Sequence, residues 1–184
     1  MARNADDTRR KILQAATEEF AEHGIAGARV DRITKNAGVN NALLYRYFGS
    51  KVDLFDTVYS RLVTETVNAV PIDPTDLPGY VGRLYDYYEA SPQVVRLAAW
   101  RQLERPEQVL PAVVHDDQKD KVEQIARAQR DGLVTTALPA DELCALLILL
   151  AFGNTPLVPA VGFEIDRERR RATVVATAEA LLRA

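Results

Sequence analysis

The chain of 184 residues is 47% hydrophobic and 27% charged, which supplies enough apolar material for a packed core and argues against a disordered protein. Its single cysteine, Cys144, excludes an internal disulfide and favours a reducing cytoplasm. The N-terminus lacks the apolar stretch of a signal peptide. We therefore expect a cytoplasmic protein with either one substantial domain or a small domain followed by a larger one.

The charges are distributed unevenly around the net charge of −3. Residues 1–51 contain nine Lys/Arg and six Asp/Glu, a net charge of +3, whereas the remainder contains fourteen and twenty, a net charge of −6. A basic end on an acidic chain is the asymmetry expected of a DNA-reading head on a regulatory body.

Residues 8–23 have the apolar spacing of an amphipathic helix. Ile12, Ala16 and Phe20 recur at intervals of four residues, and Gly24 follows where the helix should end. We expect this helix to lie across the next two helices and to complete a three-helix head.

A helix-turn-helix is predicted over about residues 29–48. Ile33 and Ala37 lie on the apolar face of a short first helix, and Gly38 can adopt the left-handed conformation that ends it. Asn40 can cap a second helix by accepting hydrogen bonds from its free amides. Two short helices joined in this way form the motif that places a helix in a DNA groove.

The second helix of the motif has two faces of different character. Leu44 and Phe48 are four residues apart and should be buried. Ala42 and Arg46 lie on the opposite face, where a guanidinium can bond guanine edges in a major groove. The alternative is a plain helical corner whose aromatic residues serve only local packing.

The first third of the chain carries a set of residues in a recognisable order. They are Thr8-Arg9-Arg10-Lys11-Ile12-Leu13, Ala15-Ala16, Phe20-Ala21, Gly24, Ile33, Ala37-Gly38-Val39, Leu44-Tyr45, Tyr47-Phe48, Ser50-Lys51 and Leu54. This pattern resembles the N-terminal DNA-binding domain of the tetracycline-repressor (TetR) family. The resemblance implies an all-α homodimer of about nine helices per chain, which represses transcription and is released from its operator by a small ligand.

Three positions depart from the family pattern. Arg29 stands where a Ser or Thr usually begins the first helix of the motif, Thr34 replaces an Ala, and Leu43 replaces a common Thr. These changes bear on the operator sequence more than on whether DNA is bound. The residues predicted to contact DNA are Arg29, Asn40, Asn41, Ala42, Leu43, Tyr45, Arg46, Tyr47 and Lys51. Tyr47 and Lys51 are expected on phosphates.

Helices are also predicted throughout the rest of the chain. Ser50 and Asp53 form a capping-box-like start for a helix from Lys51 to about Val70, and prolines at 71 and 74 mark a domain boundary. We expect a DNA-binding domain over residues 8–68 and a regulatory and dimerisation domain over residues 74–184. The apolar run 143–152 is too short to span a membrane, which takes about 20 residues.

Two further sites are expected in the second domain. The residues expected to line an effector pocket, where the family has one, are Tyr85, Tyr88, Arg96, Trp100 and Arg101. The apolar helix 143–152 and the last helix, about residues 166–183, should pair with a second copy in a four-helix bundle. The residues predicted at that dimer interface are Leu143, Leu146, Leu147, Leu150, Val174, Ala178 and Leu181. Burial inside the monomer is the alternative.

An enzyme is the first rival interpretation. The only histidines, His23 and His115, are far apart, and the sequence has no Gly-rich phosphate loop or nucleophile elbow. We therefore expect no catalytic residues, no metal and no cofactor. The second rival is a helical protein-interaction module that does not bind DNA.

Overall fold

The computed structural model describes residues 2–109, 111–153 and 166–183. These ranges form nine α-helices and contain no β-strand, as predicted. The helices are α1 (Ala2–Gly27), α2 (Val30–Ala37), α3 (Asn41–Phe48), α4 (Lys51–Ala69), α5 (Leu77–Ala90), α6 (Pro92–Glu104), α7 (Ala112–Arg130), α8 (Ala140–Gly153) and α9 (Arg167–Leu182). Within the described part of the chain, no helix is both long and apolar enough to cross a membrane.

The chain divides into two compact units. The head comprises residues 1–63 together with residues 96–111, and the body comprises residues 64–95 and 112–184. This division differs from the expected boundary at residues 68–74, because α4 contributes residues to both units and the second half of α6 belongs to the head. Residues 96–111, which were expected in the second domain, thus belong to the head.

The core of the head is built around α1. Phe20 and Phe55 meet edge to face with their ring centroids 5.2 Å apart. Ile12 and Leu44 are also fully buried. The helix α1 extends beyond the predicted 8–23 at both ends, since it begins at Ala2 and resumes a helical turn after a break at Gly24.

The body is built from α5 and α7 to α9. The helix α5 packs against α8 and α9, and α7 packs against α8. Close approach of α9 to α5 requires Gly82, since a Cβ there would lie 2.9 Å from a methyl carbon of Val175. An ion pair 2.6 Å long between Arg171 and Asp86 joins the same two helices.

The seam expected between two copies is largely buried within the body itself. Leu143, Leu147, Val174 and Ala178 are at most 1% exposed, because α8 and α9 pack against each other and against α5. These four side chains fill the core of the monomer, which corrects the expectation that they form the surface between two copies. Of the other three expected interface residues, Leu146 is exposed, and Leu150 and Leu181 are half-buried.

Candidate nucleic-acid interface

The turn between α2 and α3 has the geometry that the sequence predicted. Gly38 adopts the left-handed conformation, with φ 68° and ψ 35°. Its amide donates to the Lys35 carbonyl, and the Val39 amide donates to the Thr34 carbonyl, so the end of α2 is closed as a Schellman motif. The Asn40 side chain accepts a 2.8 Å hydrogen bond from the Leu43 amide and caps α3. These contacts fix where α3 begins.

The two faces of α3 are separated as expected. Leu44 and Phe48 are buried in the head. Ala42 and Arg46 are exposed on the other side, and the Tyr45 ring beside them is 45% exposed. The outward face therefore presents a small apolar group, a guanidinium and a phenol to any partner that approaches it.

Asn41 is exposed, but its side chain also forms hydrogen bonds with α2. Its side-chain amide donates a 2.7 Å hydrogen bond to the Asp31 carboxylate, and its carbonyl oxygen lies 2.7 Å from the Thr34 hydroxyl. Thr34, one of the departures from the family pattern, thus joins α2 to α3. One N–H of the Asn41 amide and one lone pair remain for other partners.

Lys51 also makes contacts inside the head. Its ammonium group donates to the carbonyls of Ala26 and Ala28, over 3.3 Å and 3.0 Å. A lysine has three N–H donors, so one remains for a phosphate. In the free protein, Lys51 ties the start of α4 to the segment that precedes α2.

A buried carboxylate on α1 supports the start of α2. Glu19 accepts hydrogen bonds from the Arg29 amide over 2.7 Å and from the Arg32 guanidinium over 2.8 Å. Burial alone would raise the pKa of Glu19, but these hydrogen bonds and the Arg32 charge hold it below its ordinary value. The Arg29 side chain forms no cap for α2 and is exposed. Because Glu19 is ten or more residues from its partners, no helical spacing in the sequence indicated this role.

Two family models match the chain. One, described as bacterial regulatory proteins of the tetR family, matches residues 12–58. The other, described as a tetracyclin repressor-like C-terminal domain, matches residues 76–180 and so covers more than half of the chain. The chain belongs to the TetR family.

Curated and solved relatives agree with this assignment. The chain is 40% identical over 152 residues to the HTH-type transcriptional repressor SCO4008 of Streptomyces coelicolor, covering 82% of this chain and 79% of the relative. It is 34% identical over 109 residues to the repressor NicS of Pseudomonas putida, covering 55% and 51%. The crystal structure of the transcriptional regulator SCO4942 from Streptomyces coelicolor superimposes with a TM-score of 0.83 at 37% identity, covering 95% and 97%. This TetR protein is thus a DNA-binding transcriptional regulator.

The five expected effector-pocket residues fall in both units of this TetR protein. In the head, the Trp100 indole donates to the Ala21 carbonyl over 3.3 Å, and Arg101 donates to the Gln108 carbonyl over 2.7 Å. Arg96 is exposed. In the body, Tyr85 and Tyr88 are buried on α5. The structural contacts of Trp100 and Arg101 had no counterpart in the sequence pattern, and the effector role of all five stays a prediction.

Metal-binding chemistry has no support in the described ranges. They contain no group of three or more His, Cys, Asp or Glu side chains that could hold a metal ion. His115 is exposed on α7. His23 lies near the end of α1, with Nε2 3.9 Å from Glu22 and 4.0 Å from Glu19.

Proposed function

We propose that the protein is a homodimeric repressor that binds a palindromic operator and is released from it by a small-molecule ligand. The observation that carries this proposal is the outward face of α3, which is exposed, apolar in part and supplied with one guanidinium. The repressors SCO4008 and NicS support the direction of regulation by their names. We expect no enzyme activity.

Contacts with DNA are assigned by the position of each side chain on the head. Arg46 is placed to bond guanine, with Ala42 and Tyr45 beside it against base edges or methyl groups. Tyr47, half-buried on α3, and the remaining N–H of Lys51 suit phosphates. The others assigned to this surface are Arg29, Asn40, Asn41 and Leu43, with Asn40 and Asn41 also holding α3 in place.

The proposed dimer uses the sides of α8 and α9 that face outward. On α8, Leu149 is 59% exposed and Leu146 is 37% exposed. On α9, Ala176 and Ala180 are exposed. These side chains could form a four-helix bundle with a second copy, and Leu150 and Leu181 would complete its edge. A twofold dimer would set two recognition helices about 34–36 Å apart on a palindrome.

The proposed effector is a flat or anionic molecule bound near aromatic and cationic side chains. We propose Tyr85 and Tyr88 of the body as the aromatic groups, and an effector role for Arg96, Trp100 and Arg101 stays a prediction from the sequence. One conformation of the protein fits DNA and another does not. The ligand lowers operator affinity only if it binds more tightly to the conformation that does not fit DNA. The route we propose is α4, which runs from the head into the body and would move the head when the helices of the body shift.

Binding of the purified protein to the DNA upstream of its own coding sequence tests the proposal. We expect a complex of two chains per duplex at fixed salt, with much weaker binding to unrelated DNA of equal length. Leu149→Glu should give monomers by light scattering and lose tight binding, whereas Leu133→Glu, at a residue that is equally exposed but outside α8 and α9, should not. A wild-type protein that ignores all DNA at low ionic strength would refute the proposal.

A further inference from the structure

The helix α1 contains a break that another helix fills. Gly24 has φ 69° and ψ −170° near the C-terminal end of the helix, so the turn that follows begins anew. Its first amides, those of Ile25 and Ala26, donate to one oxygen of the Glu104 carboxylate over 3.0 Å and 2.9 Å. Glu104 is the last residue of α6 and caps this turn from 78 or 79 residues away.

The fit between α6 and the break leaves no room for a side chain. A Cβ at Gly24 would lie 2.8 Å from the Trp100 ring and even closer to the Glu104 carboxylate. The positive φ of Gly24 also disfavours any residue with a side chain. On the near side of the break, the Trp100 indole donates to the Ala21 carbonyl. The end of α6 therefore holds α1 on both sides of Gly24.

The other side of the same segment holds the helix-turn-helix. We call residues 25–28 the junction. Its carbonyls accept from Lys51 at the start of α4, at Ala26 and Ala28. The Gly27 carbonyl accepts from Arg32 on α2 over 3.1 Å. The amides of the junction thus donate to a carboxylate of α6, and its carbonyls accept from cationic side chains of α2 and α4.

The distance in sequence between Glu104 and the junction bears on its role. A Ser, Asn or Asp beside the break could satisfy the same amides locally and stabilise the turn equally well. A cap supplied by α6 makes the order of the junction depend on where α6 lies. Because only Arg29 separates the junction from α2, we expect the orientation of α2 and α3 to depend on the same contact.

We propose that Glu104 is a positioning residue for operator recognition. Its carboxylate holds the junction so that α2 and α3 present the exposed face of α3 at the angle that fits base edges. Non-specific attraction to DNA depends on charge and tolerates other angles, so it does not need this contact. The inference rests on the proposed reading of DNA by α3 but requires neither the effector nor the dimer interface proposed above.

The experiment compares Glu104→Gln with Glu107→Gln in the full chain. Both variants remove one negative charge near the end of α6, but Glu107 is exposed, whereas Glu104 receives the junction amides. Affinities are measured for the operator selected from a random pool and for a scrambled duplex of the same length. We expect the ratio of the two affinities to fall about tenfold in Glu104→Gln, since the charge-assisted pair is lost, and to stay at the wild-type value in Glu107→Gln.

The ratio separates positioning from stability. A variant that merely unfolds in part loses active protein equally for both duplexes, so its ratio stays at the wild-type value. An unchanged ratio in Glu104→Gln, or an equal fall in Glu107→Gln, overturns the inference and leaves DNA reading by α3 intact. A wild-type protein with no preference for any duplex overturns both. Faster hydrogen exchange at the Ile25 and Ala26 amides in Glu104→Gln is the expected structural signature.

A second variant keeps the test decisive if Glu104→Gln does not fold. Trp100→Phe keeps an aromatic ring near Gly24 but removes the second ring of the indole together with the N–H that binds the Ala21 carbonyl. We expect the affinity ratio to fall by about threefold, since a neutral hydrogen bond is lost in place of a charged one. A ratio equal to that of the wild-type protein would overturn the inference that the end of α6 positions α2 and α3 through its contacts beside Gly24.

Discussion

The helix-turn-helix and the junction lie side by side in the head but are held by contacts of different range. In the helix-turn-helix, the Asn40 cap reaches three residues along the chain and the bond between Asn41 and Asp31 reaches ten. At the junction, Lys51 reaches back 23 residues and Glu104 reaches back 79. The surface proposed to face DNA is therefore set by its own sequence, whereas its support depends on helices that come later in the chain. Substitutions confined to the helix-turn-helix or to its supporting contacts separate the contributions of the two regions to stability and DNA binding.

The largest effect is expected at the break in α1. Gly24→Ala combines a left-handed backbone that costs a side-chain residue roughly 1–2 kcal/mol with an overlap against Trp100 and Glu104 that adds a similar amount. We expect the free energy of unfolding to fall by about 2–4 kcal/mol in urea denaturation. Gly27→Ala is the matched control, since its Cβ would lie at an ordinary 3.4 Å from its neighbour, and should change stability by less than roughly 0.5 kcal/mol.

The next effect concerns the carboxylate that supports α2 from α1. Glu19→Gln weakens the hydrogen bonds to Arg29 and Arg32 and should lower the free energy of unfolding by roughly 2–3 kcal/mol at pH 7. Because the pKa of Glu19 is lowered in the folded protein, its stabilising effect is present above the unfolded-state value near 4.5 and is lost as the pH falls through the folded-state pKa.

The pH dependence of the free energy of unfolding provides a separate check on Glu19→Gln. The difference in stability between wild type and Glu19→Gln should shrink as the pH drops below about 4.5, measured by denaturation at a series of pH values. Glu18→Gln, at the exposed neighbouring residue, should behave as wild type throughout. A constant difference between wild type and Glu19→Gln down to pH 3 would show that the charge of Glu19 contributes nothing.

On the DNA-facing side, Arg46→Ala should act on binding and leave folding intact. We expect a loss of about 1–3 kcal/mol of operator binding free energy and a relaxed preference at one base position, since a guanine contact is removed. Arg46→Lys keeps the charge but not the fork of donors and should relax the same base preference with a smaller loss of affinity. Fluorescence anisotropy on a panel of single-base operator variants measures both. Equal weakening on every sequence would contradict the role assigned to Arg46.

The smallest effect is expected at the cap of α3. Asn40→Ala removes the acceptor for the Leu43 amide and should lower the free energy of unfolding by about 1 kcal/mol, as measured by thermal denaturation. Asn36→Ala, at an exposed residue of α2, should leave the melting temperature within a degree or two. A loss at Asn40 well above that of Glu19→Gln would reverse the proposed ranking of local and long-range contacts.

The parts of the fold that depend on local chemistry were predictable from the sequence. Gly38, Asn40 and the pair of Ser50 with Asp53 act at helix ends as their residue types predict. The apolar period of α3 separated its buried face from its exposed face. These features follow from the rise and twist of a helix, so they could be predicted without knowing which elements meet.

The parts that depend on which helices meet were not predictable. Glu19 and Glu104 looked like ordinary surface acids, and only the fold brings Arg32 and the junction amides to them. The same reason explains why four residues of the expected dimer interface were predicted incorrectly. The apolar period of α8 cannot distinguish a side packed on α5 from a side left for a partner. Leu147 and Leu149 are two residues apart, yet one is in the core and the other is exposed.

Selection of bound duplexes from a random DNA pool by the purified wild-type protein tests most directly whether the outward face of α3 reads bases. If α3 reads bases, we expect enrichment of an inverted repeat whose half-sites are centred about one helical turn, roughly 34–36 Å, apart, with enrichment weakened at one position by Arg46→Ala. A pool that stays random after repeated rounds at low ionic strength, or an enriched sequence that Arg46→Ala reads as well as wild type, would contradict the reading of bases by α3.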